Sequence, residues 1–285
     1  AARQRVAVEH VDGGAGETGG GGGYVDISNY VYFQADDGYG NYVYATNSGS
    51  IEVLGYGTVN IKGGKGAIDG GYGGSSVLYW NVSDTNNVVS PSSIYNDTDF
   101  DMTGGQGVAG NGGSGGYFFA EMGMNYVGNP GPTKPGAKST LPAPGSIENR
   151  GNITTRGGQG AFYGGDAGSF YDGGYYDYDL SIWMIASGNI TNTGALNASG
   201  GQATDVAGYG GYGYPVVLDA LGNILNSGSI NVNGGDGKAA GGGADWVFLY
   251  SEAGTNINTG AISANGGNAV DGSGGYGGWI EIYTS

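Results

Sequence analysis

Apolar and polar residues alternate in short stretches along the chain, and each stretch ends in a pair of glycines. In the last one, Ile262 and Ala264 stand four and two residues before Gly266–Gly267, with polar Ser263 and Asn265 beside them. A period of two is typical of a half-buried β-strand. The equivalent and mostly apolar positions upstream are Val59/Ile61, Phe100/Met102, Ile153/Thr155, Leu196/Ala198 and Ile230/Val232.

Glycine pairs divide the chain into seven repeats, and a longer glycine-rich run follows each pair. After that run a second strand is predicted, and a third short strand precedes an asparagine turn and carries Ile190, Ile224 and Ile257. No stretch shows a helical period, so each repeat is predicted to consist of three strands. The pairs are Gly13–Gly14, Gly63–Gly64, Gly104–Gly105, Gly157–Gly158, Gly200–Gly201, Gly234–Gly235 and Gly266–Gly267.

A repeat of about 32 residues cannot bury an apolar face alone, whereas stacked repeats share one core. We therefore predict an all-β fold, a right-handed parallel β-helix of about seven glycine-rich coils. Residues 1–285 are expected to form a single domain. Two insertions are predicted, a tyrosine-rich one at about 29–46 and a proline-rich loop at about 126–146.

An asparagine stands eight residues before five of the glycine pairs. Asparagine tolerates left-handed backbone and caps its own turn, and the amides of stacked coils can hydrogen-bond along the axis. We predict an axial asparagine ladder, with a polar ligand groove as the alternative. Its members are Asn96, Asn149, Asn192, Asn226 and Asn258.

Composition excludes several classes of partner. The net charge is −16, and the nine Lys and Arg residues form no basic stripe that would neutralise phosphates. No apolar run approaches the roughly 18 residues that span a bilayer. We therefore expect neither nucleic-acid binding nor membrane insertion. The absence of cysteine excludes disulfides and thiolate metal sites.

Four repeats begin the strand after the glycine-rich run with an aromatic residue. Stacked along one edge, these rings would bind sugars or partner proteins through their flat faces. The alternative is that they only cover the glycine backbone or pack between subunits. This aromatic edge consists of Tyr24, Tyr117, Trp246 and Trp279.

Two kinds of modification or ligand are suggested by local motifs. Asp97 and Asp99 lie at an acidic turn that supplies hard oxygen ligands for calcium, although an ordinary solvated turn has the same composition. No other cofactor is expected. Asn-X-Ser/Thr sequons, which are candidate N-glycosylation sites in a secreted protein, occur at Asn81, Asn96, Asn152, Asn189 and Asn197.

The repeated NxGxI…GG pattern resembles the secreted glycine-rich parallel β-helix proteins of microbial surfaces, the class of haemagglutinin-repeat adhesins and autotransporter passengers. It is clearest in Asn192 to Gly201, Asn226 to Gly235 and Asn258 to Gly267. The resemblance implies an extracellular or cell-surface location and a structural or adhesive role. The Ala1-Ala2 start agrees with a mature chain whose signal peptide has been removed.

Parallel β-helices also include polysaccharide-degrading enzymes, which need clustered acids with Arg, Lys or His. The chain has one histidine, His10, and its carboxylates form no repeated cluster, so we do not expect an enzyme. The leading hypothesis is a structural subunit of an extracellular filament that assembles head to tail with copies of itself. In that filament, 279–283 of one copy is expected to meet 3–12 of the next. The alternatives are a monomeric surface adhesin or glycan-binding β-helix and, third, a polysaccharide-degrading enzyme.

Overall fold

The computed structural model describes residues 3–5, 12–30, 50–53, 58–81, 93–122, 145–169 and 179–285, and all structural statements below concern these ranges. They contain strands and connecting turns but no helix, and hence no helix that is long and apolar enough to cross a membrane. The strands assemble into three sheets in which every neighbouring pair is parallel.

Each sheet takes one strand from successive coils. Sheet 1 consists of β1 (Arg3–Arg5), β3 (Ser50–Val53), β6 (Ser93–Asn96), β9 (Ser146–Asn149), β12 (Ile190–Asn192), β15 (Ile224–Asn226) and β18 (Asn256–Asn258). Sheet 2 consists of β4 (Thr58–Asn60), β7 (Asp99–Asp101), β10 (Ile153–Thr154), β13 (Leu196–Asn197), β16 (Ile230–Asn231) and β19 (Ile262–Ser263). Sheet 3 consists of β2 (Tyr24–Tyr30), β5 (Ser75–Asn81), β8 (Phe118–Met122), β11 (Ile182–Ala186), β14 (Val216–Ala220), β17 (Val247–Ser251) and β20 (Ile280–Thr284).

The chain visits sheet 1, sheet 2 and sheet 3 in turn and then climbs to the next coil, so β18, β19 and β20 make up coil 7. The glycine-rich run lies between sheets 2 and 3 in every coil from the second onward. This arrangement confirms the predicted parallel β-helix of seven coils.

Inward side chains of the three sheets form one continuous core. In sheet 1, Ile147 lies beside Ile190, which lies beside Ile224, and all three are buried. In the third coil the rings of Phe100 and Phe118 meet edge to face at 5.4 Å across the interior. Complete burial of such side chains contributes about 1.5–3 kcal/mol each, so the shared core supplies the main stabilisation of coils that are unstable alone.

The register of coil 7 corrects one detail of the sequence pattern. Ile190 pairs with Ile224, and Ile224 pairs with Asn256, whereas Ile257 pairs with Leu225 and is 51% exposed on the outer side. Asn258 pairs with the ladder residue Asn226 and so fixes the register of β18. The inward residue of β18 is therefore Asn256, two positions before Asn258. The Asn256 Nδ2 donates hydrogen bonds to the carbonyls of Leu249 and Tyr283 at 2.9 and 2.8 Å, whereas its buried Oδ1 has no hydrogen-bond partner among the described residues.

Both predicted insertions lie mostly outside the described residues. The tyrosine-rich insertion at about 29–46 begins within β2, which extends to Tyr30, and its remainder from residue 31 is not described. The proline-rich loop at about 126–146 is described only from Gly145 onward, where β9 begins at Ser146.

Candidate functional site

Five asparagine side chains form one hydrogen-bonded column at the end of sheet 1. The Nδ2 of each of the first four donates to the Oδ1 of the asparagine in the next coil at 2.7 Å. All five also donate to the carbonyl two residues further along their own turn at 2.9–3.0 Å. The column begins in the third coil because Val53 occupies the equivalent position in the second. Its members are Asn96, Asn149, Asn192, Asn226 and Asn258.

The first four ladder asparagines are at most 2% exposed and Asn258 is half-buried. Buried amides are stable only when their donors and acceptors are paired. Since both N–H groups of Asn96, Asn149, Asn192 and Asn226 are donated within the ladder and its turns, these amides hold the axial register of neighbouring coils. This column has the geometry of a structural element, not of a ligand groove.

A second axial column consists of backbone alone. In each coil the glycine pair and a second glycine pair later in the same glycine-rich run lie side by side, and we call this region the glycine layer. The Gly201 N–H donates to the Gly165 carbonyl at 2.7 Å, and the Gly211 N–H donates to the Gly201 carbonyl at 2.9 Å. The same alternation connects all coils without a break from Gly14 to Gly275.

Steric contact explains why these positions are glycine. A Cβ at Gly201 would lie 2.0 Å from the carbonyl oxygen of Gly158 in the coil below, and a Cβ at Gly158 would lie equally close to that of Gly105. Carbon and oxygen atoms cannot approach to this distance, so adjacent coils would have to separate. The glycine layer is therefore a close-packed part of the scaffold.

The upper face of coil 7 presents the core side chains. Ile280 and Ile282 are 44% and 47% exposed, although Val247 and Leu249, the equivalent residues in the coil below, are fully buried. Ile262 and Ala264 are partly buried in the same way. Among the described residues, β18, β19 and β20 each pair with a strand on one side only. This end face is an apolar surface that continues the core.

The predicted aromatic edge is one column in sheet 3, but it is not a continuous stack. Ser75 separates Tyr24 from Tyr117, and Ser181 and Pro215 separate Tyr117 from Trp246. Only Trp246 and Trp279 occupy adjacent coils. The prediction of a single stacked edge is therefore wrong, because the intervening coils carry small residues or proline at this position.

Trp246 and Trp279 together with Phe248 and Glu281 form a small surface cavity of about 170 Å³. Phe248 and Glu281 are adjacent in the register of β17 and β20, two residues beyond the tryptophans. Sequence reasoning identified the two tryptophans but missed Phe248 and Glu281. The available signal was the outward period of two, which places all four side chains on one face.

Two half-buried carboxyl groups, those of Glu121 and Asp219, lie on the outer side of sheet 3. Glu121 pairs with Ile185, and Ile185 pairs with Asp219, so two coil spacings of roughly 10 Å in total separate the acids. Burial raises the pKa of Glu121 to about 7. Burial, reinforced by the charge of Glu252, raises the pKa of Asp219 to about 7 as well. The separation excludes a direct hydrogen bond between them.

The raised pKa values of Glu121 and Asp219 predict that the protein becomes less stable as the pH rises. Each folded pKa lies above the ordinary value, so the stabilisation is complete below about pH 4 and is lost as the pH rises through about 7. Asp219→Asn removes one such group and should make the protein more stable than the parent by about 3 kcal/mol at pH 8.5, with little difference at pH 4. Urea unfolding at both pH values measures the difference in the free energy of unfolding between Asp219→Asn and the parent. An effect of the same size at both pH values, or an equal gain in the exposed control Asp271→Asn, would contradict it.

The sequons differ in accessibility. Asn96 cannot carry a glycan in this fold because its amide is buried in the ladder, which corrects that candidate. Asn152 and Asn189 are exposed, and Asn197 is half-buried, with its Oδ1 accepting a hydrogen bond from the N–H of Ser199. The side chain of Asn81 lies outside the described part of the structure.

The calcium candidates do not converge on a common point. Asp97 is exposed, while Asp99 accepts a hydrogen bond from the N–H of Asn152 at 2.7 Å. Within the described ranges, no group of three or more His, Cys, Asp or Glu side chains has the geometry to hold a metal ion. No protein-family model, curated protein or solved structure matches this chain.

Proposed function

We propose that this protein is a structural subunit of an extracellular filament or surface fibre, in which copies stack end to end and continue the β-helix. The observation that carries the proposal is the complementarity between the two end faces of the described coils. Both end faces carry glycine at positions where the described residues leave room for a side chain, and the end face of coil 7 exposes Ile280 and Ile282.

Gly14 lies in the column of Gly64 and Gly105, in which a Cβ would point at the coil below. At Gly64 it would lie 2.1 Å from the Gly14 carbonyl oxygen, but at Gly14 itself no atom of the described structure lies within 4 Å. At the other end, a Cβ at Gly241 would lie 1.9 Å from Gly267 of the coil above, whereas the nearest atom at Gly274 is 3.6 Å away. A second copy above and below would give both glycines the close contact that their columns have elsewhere.

The sheet order also indicates which strands would pair at this proposed interface. Sheet 1 runs from β1 to β18 and sheet 3 runs from β2 to β20. Continuation of the sheets therefore places β2 of the next copy on β20, and β1 of the next copy on β18. In the proposed fibre this pairing replaces the expected contact of 279–283 with 3–12, because β20 and β1 belong to different sheets.

Alanine at the end-face glycines tests the proposal. Gly14→Ala and Gly274→Ala should fold as the parent does. In the described part of the chain the Cβ at Gly14 has no atom within 4 Å, and the Cβ at Gly274 lies at an ordinary contact distance of 3.6 Å from the Gly267 carbonyl oxygen. Each should prevent fibre growth, since the Cβ would lie about 2 Å from a carbonyl oxygen of the neighbouring copy, as at Gly64. Negative-stain electron microscopy and light scattering against concentration measure assembly.

The matched control is Gly21→Ala, at a position where the nearest atom is 3.9 Å away and the coil above carries the exposed Tyr72. Gly21→Ala should form fibres as the parent does. A parent protein that stays monomeric at high concentration, or fibres that persist in Gly14→Ala, would contradict end-to-end stacking.

A monomeric surface adhesin or glycan-binding protein is the second candidate. The observation that favours it is the exposure of Trp246 and Trp279, which are 42% and 66% exposed in adjacent coils. It ranks below the filament because the aromatic column is interrupted in the intervening coils. A polysaccharide-degrading enzyme ranks third, since the half-buried acids Glu121 and Asp219 are separated by Ile185. The extracellular location belongs to the same proposal and is supported by the resemblance to secreted β-helix proteins.

A further inference from the structure

Four outward side chains at the end of sheet 3 form a square, which we call the aromatic square. Trp246 and Phe248 lie on either side of inward Val247, and Trp279 and Glu281 lie on either side of inward Ile280. Neighbouring strands are about 4.8 Å apart and alternate residues along a strand about 6.8 Å apart. Three corners of the square are therefore aromatic rings and the fourth is a carboxylate.

A cavity of about 170 Å³ lies among these side chains. One side of the square is held in place by further aromatic contacts. Phe248 stacks on Tyr250 with ring centroids 5.8 Å apart, and Tyr250 stacks on Tyr283 at 5.5 Å with nearly parallel planes. Because Tyr250 is buried, the ring of Phe248 rests on a fixed support. The Phe248 side of the cavity is thus formed before any ligand enters.

The electrostatic surroundings are acidic. Glu281 belongs to the square, Asp245 accepts a hydrogen bond from the backbone N–H of Trp246 at 2.9 Å, and Asp219 lies in the strand below. The strands β14, β17 and β20 contain no Lys or Arg. Aromatic faces attract cations through their quadrupole, most strongly when a carboxylate is nearby and water is partly excluded.

We propose that the aromatic square binds an organic cation through a quaternary or methylated ammonium group. Trp246, Phe248 and Trp279 supply ring faces for the methyl groups and the charge, and Glu281 neutralises the charge from the fourth corner. A neutral sugar fits the square less well, because it needs several hydrogen-bonding partners, and besides Glu281 the lining side chains offer only the indole N–H groups of Trp246 and Trp279.

The size of the cavity supports a headgroup and not a longer ligand. Pockets that enclose drug-sized molecules have volumes of about 300–1,000 Å³. A cavity of about 170 Å³ holds one small group at the end of a larger molecule or a free small amine. The site faces sideways from the rod, so binding does not depend on end-to-end stacking.

Choline and its uncharged isostere 3,3-dimethyl-1-butanol are the probes that test the proposal, with tryptophan fluorescence and calorimetry as the readouts. Choline should bind saturably, and the isostere at least about tenfold more weakly, because the two differ only in charge. Trp279→Ala should weaken choline binding by about tenfold or more, and Glu281→Gln by about threefold to tenfold. The control Tyr276→Ala, an 87% exposed residue of the same coil outside the cavity, should bind choline as the parent does.

Equal binding of choline and the isostere would overturn the proposal, because the cavity would then be an apolar groove. Binding of methyl β-glucoside in the absence of choline binding would overturn it in favour of a glycan site. Co-sedimentation with phosphatidylcholine vesicles that is lost in Trp279→Ala would assign the cation to a lipid headgroup. Choline binding without co-sedimentation would assign it to a soluble amine, and both results support the site.

Discussion

Gly201→Ala is expected to unfold the middle of the β-helix. The Cβ would lie 2.0 Å from the Gly158 carbonyl oxygen, and the hydrogen bonds of Gly201 to Gly165 and Gly211 would have to break for the coils to separate. Overpacking costs about 1–3 kcal/mol and each lost buried hydrogen bond about 1 kcal/mol or more. We expect a loss of at least about 4 kcal/mol in the free energy of unfolding, or no soluble folded protein.

Gly14→Ala is the matched control for this substitution, because Gly14 lies in the same glycine column and its Cβ would have no atom of the described residues within 4 Å. Its free energy of unfolding should stay within about 1 kcal/mol of the parent value when measured on dispersed protein. Urea unfolding followed by circular dichroism compares the two variants. If Gly201→Ala were as stable as Gly14→Ala, the close packing of the glycine layer would be incorrect.

The coil architecture is predictable from the sequence because three signals recur together. The inward pairs such as Ile230/Val232, the glycine pair behind them and the asparagine before them keep fixed spacings in successive repeats. Fixed spacing within each coil sets the register between coils, and it places Asn192 beneath Asn226 and Leu196 beside Ile230. A side-chain period and a spacing are thus enough to derive the core and the ladder.

The contacts within the glycine layer were not predictable in the same way. Glycine has no side chain and therefore no period, and the runs between the pairs differ in length among the coils. The alternating bonds from Gly165 through Gly201 to Gly211 depend on how two backbone segments approach each other in space. Sequence indicates that the backbone must come close there, but not which carbonyl each N–H meets.

The sequence pattern did not indicate the burial of the carboxyl groups of Glu121 and Asp219, for a different reason. Glu121 and Asp219 occupy outward positions of strands, where a polar residue normally indicates exposure to solvent. The outer side of sheet 3 carries its own apolar cluster of Leu180, Trp183 and Ile185, which are 5–8% exposed. Period-two alternation assigns apolar residues to the inner face and polar residues to the outer face. It therefore gives no signal for a second apolar layer on the outside of a coil.

Asn192→Ala is expected to be the most damaging change in the asparagine ladder. It would leave the Nδ2 of Asn149 without its acceptor. The Oδ1 of Asn226 and the carbonyl of Gly194 would each lose the N–H that Asn192 donates to them, and a cavity would remain. Each buried polar group left unpaired costs about 1–3 kcal/mol. We expect the free energy of unfolding to fall by about 3–5 kcal/mol, measured by urea denaturation.

Position along the ladder provides the control, because the ladder is a chain of equivalent bonds with one half-buried end. Asn258→Ala removes the amide of coil 7, where only Asn226 donates to it and solvent can reach the groups left behind, so the loss should be about 1–2 kcal/mol.

Asn192→Asp keeps an acceptor for Asn149 but cannot donate to the Oδ1 of Asn226, and it places a carboxyl group in a site that is 0% exposed. That variant should therefore be more stable at low pH, where the carboxyl group is protonated, than at neutral pH. Equal losses in Asn192→Ala and Asn258→Ala would show that the asparagines act only as local turn caps, since a cap has the same value in every coil, whereas a buried ladder is most sensitive at its centre.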